Sequence, residues 1–73
     1  MENKAAETFG ERLKALRTET KKSQVQLAGE IGVGKSIISL WELNQCEPTL
    51  SNLKALAEFF HVNIDYLAGL VDY

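Results

Sequence analysis

The sequence predicts an all-α fold, five short helices in one domain, with the second and third helices forming a helix-turn-helix. Three observations predict it. Apolar residues recur at helical spacing in each segment, with none of the strict alternation a half-buried strand needs. Cap residues open most segments, and Gly, Pro or a polar break closes them. The chain has 73 residues and is 45% hydrophobic, enough for one domain with a small core.

The first helix is read from Phe9, Leu13, Ala15 and Leu16, with Glu11, Arg12 and Lys14 between them. Thr8 caps it, and Glu11 three residues on completes a capping box. The polar stretch Thr18 to Lys22 ends the periodicity in a turn. Ser23 opens the second helix, with Gln26 placed to reach back to its amide and Val25, Leu27, Ala28 and Ile31 as apolar positions. Gly32 stops that helix where a left-handed residue is needed. Gly34 follows, and Lys35 to Glu42 reads as the third helix. Two helices joined by three or four residues with a Gly in the turn define the helix-turn-helix.

Leu43 to Pro48 is a loop in which Asn44 tolerates a positive φ and Pro48 forbids helix continuation. Thr49 caps a fourth helix with Leu50, Leu53, Leu56, Ala57 and Phe60 on one stripe. His61-Val62 breaks it, Asn63 caps a last short helix carrying Ile64, Leu67 and Leu70, and Gly69 ends it. The domain core spans about residues 9–69 of a single domain 1–73, with 1–7 expected as a flexible amino-terminal segment.

The formal charge of −2 argues against a non-specific nucleic-acid coat. The charge is unevenly placed. Residues 1–35 carry seven basic and five acidic side chains, whereas 36–73 carry Lys54 against five acidic ones. One face is therefore suited to an anion and another is not.

Cys46 is the only cysteine, so an intramolecular disulfide is excluded and a reduced cytosolic thiol is expected. Cys46 and His61 do not make a closed zinc site, and no cofactor is implied. His61 sits at a helix end without a neighbouring nucleophile, so no enzyme constellation is present. No apolar run approaches the roughly 18 residues of a membrane span, and the amino terminus lacks a signal-peptide core. A cytoplasmic chain without membrane contact is expected.

One motif is a decoy. Gly29 to Ser36 matches the phosphate-binding pattern G-x-x-x-x-G-K-[ST]. That loop follows a buried strand, whereas Ser23 to Ala28 reads as a capped amphipathic helix, and the chain is too short for the parallel sheet.

Taken together, Ser23-Gln24, Leu27-Ala28, Ile31-Gly32-Val33, Ile38-Ser39, Trp41-Glu42, Glu47-Pro48-Thr49, Asn52-Leu53, Leu56-Ala57 and Asp65 to Gly69 resemble the phage-repressor/Cro-like family of bacterial helix-turn-helix regulators. The resemblance covers residues 9–69 without gaps. It implies docking of the second and third helices on double-stranded DNA, with the third helix in the major groove. Transferred position by position, it makes Lys35, Ser36, Leu40 and Ile37 the base-contact candidates. Gln24, Asn44, Gln45, Thr49 and Ser51 become phosphate contacts. Lys21 and Lys22, with Lys14 and Arg12, could add phosphate charge on chemical grounds. Arg17 and Glu42 match positions that pair across the first and third helices, which makes them a structural ion pair. Trp41 reads as core.

The sequence departs from the family pattern at the reading face. Leu40 stands where Arg or another polar reader is usual, Ile37 replaces Thr/Ser, Leu43-Asn44 replaces Asn-Gly, and Lys21-Lys22 replaces Gly-Leu. Ile37, Leu40 and Leu43 would form an apolar strip, and such patches often mark a protein partner. The expected function is a DNA-binding transcriptional regulator, a repressor of prophage or mobile-element type. The alternative is an interaction module such as an antitoxin or anti-repressor. A single domain covers one half-site, so a homodimer is expected, with Tyr66, Leu67, Leu70, Val71 and Tyr73 as its candidate interface.

Overall fold

The computed structural model describes residues 8–70. Among these, every regular element is an α-helix: α1 (Phe9–Glu19), α2 (Gln24–Ile31), α3 (Lys35–Glu42), α4 (Leu50–Phe60) and α5 (Ile64–Ala68). Residues 1–7, Val71 and Tyr73 lie outside the described residues, so neither the amino-terminal segment nor that part of the expected dimer interface is described.

The two capping boxes form as the sequence predicts. Thr8 Oγ1 accepts from the Glu11 amide at 3.2 Å, and Glu11 Oε1 accepts from the Thr8 amide at 3.0 Å. Ser23 and Gln26 repeat the exchange at 3.0 and 2.8 Å. Each box satisfies amides that have no partner inside the helix. Thr49 caps α4 through the Asn52 amide. Asn63 occupies the cap position of α5 without a side-chain cap bond. Gly32 closes α2 at φ 87°, a left-handed conformation in which glycine carries no Cβ penalty.

Leu13, Leu27, Ile38, Trp41, Leu56 and Leu67 are fully buried and draw one residue or more from every helix. α3 is thus fixed from several directions. It packs on α2 and α1, while α4 packs on α5 and α2. The Phe9 ring meets the Trp41 indole edge to face at 6.2 Å between centroids, which confirms Trp41 as core.

Some expected core positions face outward. Val25 and Leu50 are 60% and 68% exposed, because each lies in the first turn of its helix beyond the reach of the neighbouring elements. Ala15 is also exposed. Leu67 is corrected in the opposite sense. It has no exposed surface, so it belongs to the core and not to a dimer interface.

The glycine-rich decoy resolves into helix-turn-helix. Gly29 lies inside α2 and Gly34 is the N-cap of α3, so no strand precedes a phosphate loop.

Candidate nucleic-acid interface

α3 carries three kinds of surface. Ile38 and Trp41 point into the core. Glu42 is held at the carboxyl end. Lys35 and Ser36 stand exposed in the first turn, with Ser39 and Leu40 half-buried one turn on and Leu43, the C-cap, 62% exposed. Gly34 supplies no side-chain cap bond. The amino end of α3 therefore offers free amides and the positive end of the helix dipole to whatever lies in front of it.

The predicted ion pair is present. Arg17 Nε donates to Glu42 Oε2 at 2.5 Å and an Arg17 terminal nitrogen donates to Glu42 Oε1 at 3.1 Å, a bidentate pair with side chains only 12% and 4% exposed. Arg17 also donates to the Lys22 carbonyl at 2.8 Å. Donating these hydrogen bonds to the Glu42 carboxylate raises the Arg17 pKa above its ordinary value. Gln24 joins this cluster, its Nε2 donating to Glu42 Oε1 at 3.0 Å. One carboxylate thus ties α1, α2 and α3 together. Sequence reasoning places Gln24 at a phosphate and misses this second role, because 18 residues separate it from Glu42 and no local pattern connects them.

A depression of about 190 Å³ opens beside the cluster, lined by Lys14, Arg17, Gln24, Ser39, Glu42 and Leu43. Two cations against one carboxylate leave it a net positive charge. Lys14 is exposed there, whereas Arg12 is 3% exposed and turned the other way. Its guanidinium lies 4.3 Å from the centroid of the Tyr66 ring and donates to the Tyr66 carbonyl at 3.0 Å. Burial removes Arg12 from the phosphate candidates and commits Tyr66 to an intramolecular contact. Of the expected dimer residues within the described region, Leu70 alone is strongly exposed, at 75%.

The other candidate phosphate residues divide. Lys21 is exposed and adopts φ 61°, the left-handed region where glycine would be free of strain. Lys22 bends back, its ammonium 5.7 Å from the Phe59 ring centroid and 3.9 Å from Glu30. Asn44, at φ 59°, uses its side chain as a clip. Its Oδ1 accepts from the Gly10 amide at 3.0 Å and its Nδ2 donates to Thr8 Oγ1 at 2.9 Å. Gln45, Thr49 and Ser51 are exposed, with the Thr49 hydroxyl oxygen engaged in its cap.

Gly10 is a packing residue behind the site that the sequence reading passes over. A Cβ there would stand 2.5 Å from the Trp41 carbonyl oxygen and 2.6 Å from that of Glu42. The absent side chain is what lets α1 touch the backbone at the end of α3. A glycine inside an otherwise regular helical pattern is the signal that could have found it.

Ile37 packs against the core, so the expected apolar strip narrows to Leu40 and Leu43. Cys46 is half-buried, and among the described residues no group of three or more His, Cys, Asp or Glu could hold a metal ion. Among those residues no helix is long and apolar enough to cross a membrane.

A helix pair whose second member is anchored at its back and free at its amino end defines the class of helix-turn-helix proteins. Residues 10–72 match the sequence profile of a helix-turn-helix domain family, and the chain belongs to that family. It is 41% identical over 59 residues to an HTH-type transcriptional activator of Enterococcus faecalis, covering 81% of this chain and 29% of that protein. It is 36% identical over 62 residues to the immunity repressor of Bacillus phage phi105, covering 85% of this chain and 43% of that one. The chain thus spans well under two thirds of these relatives. Among solved structures, the P22 c2 repressor in complex with a synthetic operator superposes with a TM-score of 0.84 at 35% identity, covering 89% of this chain and 98% of that one.

Proposed function

We propose that this chain is a sequence-specific double-stranded DNA-binding transcriptional regulator, a repressor of prophage or mobile-element type. It works without cofactor or catalysis, in the cytoplasm, as a homodimer on a two-fold site. One observation carries the reading: the first turn of α3 is exposed and uncapped while the rest of that helix is fixed to the domain. A groove-reading helix needs that combination, because its donors must be both available and rigidly placed. The fold it shares with a repressor solved on its operator supports the same reading.

In this reading Lys35 donates to guanine O6 or N7, Ser36 meets a base edge beside it, and Leu40 supplies apolar contact, Ile37 being taken up by the core. Lys14 and Gln24, which line the small positive depression, meet the backbone on one side of the groove, with exposed Lys21 adding charge from the turn before α2. Gln45, Thr49 and Ser51 meet it on the other. Repression is favoured by the phage relatives, one of which is an immunity repressor.

The test is selection of bound duplexes from a random pool, followed by a salt titration. An enriched inverted repeat is expected, whose affinity falls with salt at about 0.9 log units per phosphate contact per log unit of salt. Failure of the wild-type chain and of Lys35→Ala alike to bind any duplex at low salt would refute it.

A further inference from the structure

The outward face of α3 combines residues that leave it little hydrogen-bonding vocabulary. The helix reads Lys-Ser-Ile-Ile-Ser-Leu-Trp-Glu, so it contains no arginine, asparagine or glutamine. With Lys35 in the first turn able to read guanine, the helix has no further side chain that reads a guanine or adenine edge through paired hydrogen bonds. Glu42 is occupied by Arg17 and Gln24. Ile38 and Trp41 are buried, and Ile37 packs against the core. Beyond the first turn the face is left with Ser39 and Leu40. Leu40 lies four residues after exposed Ser36, on the same face of the helix.

Leu40 is half-buried and does not join the core cluster. Its isobutyl group is thus neither fully sheltered nor free. A side chain in that state offers apolar surface whose remaining exposure is removed on docking, with less rotamer freedom left to lose than a fully exposed leucine. In the major groove the apolar feature that distinguishes one base pair from another is the C5-methyl group of a pyrimidine.

We propose that Leu40 is a methyl-reading residue, selecting a C5-methylated pyrimidine about one helical turn along the groove from the base met by Lys35 and Ser36. The inference rests on the DNA-binding reading above and names what that reading leaves open, the chemistry recognised in the middle of the half-site. Thymine carries the methyl in ordinary DNA, and 5-methylcytosine carries the same group on a different hydrogen-bonding edge. A methyl reader responds to both, whereas a residue sensing the exocyclic group responds to the base and not to its methylation.

The experiment uses the full chain and its selected duplex. Each thymine of the half-site is replaced in turn by deoxyuridine, which removes the methyl and leaves base pairing intact. At one position, wild-type affinity should fall about fourfold per half-site, the value of one buried methyl group. Cytosine placed there should bind more tightly when methylated, by a similar factor. Leu40→Ala should lose both responses while keeping the effect of changing the base that Lys35 meets. Because the uridine replacement alters only the DNA, a folding defect cannot imitate it. Uridine duplexes that all bind like the parent, or a penalty that survives in Leu40→Ala, overturn the inference and leave the DNA-binding reading standing. Selection that enriches no duplex overturns both.

Discussion

The two ends of α3 are built on opposite plans. At the carboxyl end Glu42 is gripped by Arg17 and Gln24, and Asn44 clips the following turn to the start of α1. The α1 backbone then approaches so closely that Gly10 has no room for a Cβ. At the amino end Gly34 provides no side-chain cap, and Lys35 and Ser36 project into solvent. The difference separates two tasks. Position and angle of the helix are set where nothing needs to be read, so the first turn can be chosen for its chemistry alone.

If that separation is correct, substitutions at the carboxyl end should cost stability and those at the amino end should cost binding. Glu42→Ala should have the largest effect. It strips a nearly buried guanidinium of its carboxylate and Gln24 of its acceptor, which should cost about 3–5 kcal/mol. For a domain of this size that lowers the thermal midpoint by more than about 12 °C, measured by circular dichroism. A midpoint close to wild type would mean that the pair does not hold α3. Replacing both partners, Arg17→Met with Glu42→Leu, should restore most of the stability. The helix would then be held without its bidentate register, so weaker operator binding in that double variant would sharpen the comparison.

Gly10→Ala comes next. Its neighbours are backbone oxygens, which cannot swing aside, so a loss of about 2–3 kcal/mol is expected in urea denaturation despite the better helix propensity of alanine. An unchanged midpoint would show that α1 can slide without disturbing α3. Asn44→Ala should cost about 1–2 kcal/mol, through two lost hydrogen bonds and an alanine forced to positive φ. Lys35→Ala closes the series. Its stability change should stay within about 0.5 kcal/mol, while affinity for the selected duplex drops by about 1–3 kcal/mol in a fluorescence anisotropy titration. A large stability loss there would break the separation.

The ion pair also sets a pH expectation. Because the Arg17 pKa is raised on folding, its contribution is complete below the unfolded value and is lost only as pH climbs through the folded one. Urea midpoints should therefore show no pH dependence from this arginine between about pH 6 and 9.

The parts of this molecule that the sequence makes legible are those whose partners lie within one helical turn. Thr8 with Glu11 and Ser23 with Gln26 can be read directly, since a box spans three residues. So can the left-handed stop at Gly32. The Arg17–Glu42 pair is legible only through resemblance, because its two members lie 25 residues apart. The Asn44 clip on Thr8 and Gly10 escapes entirely. Asparagine at a turn signals a permitted φ, and nothing local tells that its amide reaches across to another helix. Lys22 and Arg12 show the same limit for charge. Counted as surface cations, they are drawn to Phe59 and Tyr66 by aromatic faces that only the tertiary fold brings near. Leu67, grouped from the sequence with the dimer candidates, is core, because a helix that short depends on tertiary packing to form and this leucine is its one fully buried side chain.

The grip on Glu42 has a consequence for heredity. On the DNA-binding reading proposed above, single changes at positions 35, 36 and 40 leave that grip untouched, so they would alter which operator is read without first passing through a poorly folded intermediate. A lineage carrying this domain would then move from one target site to another by point mutation, and a laboratory library confined to those three positions would sample new specificities on a constant scaffold.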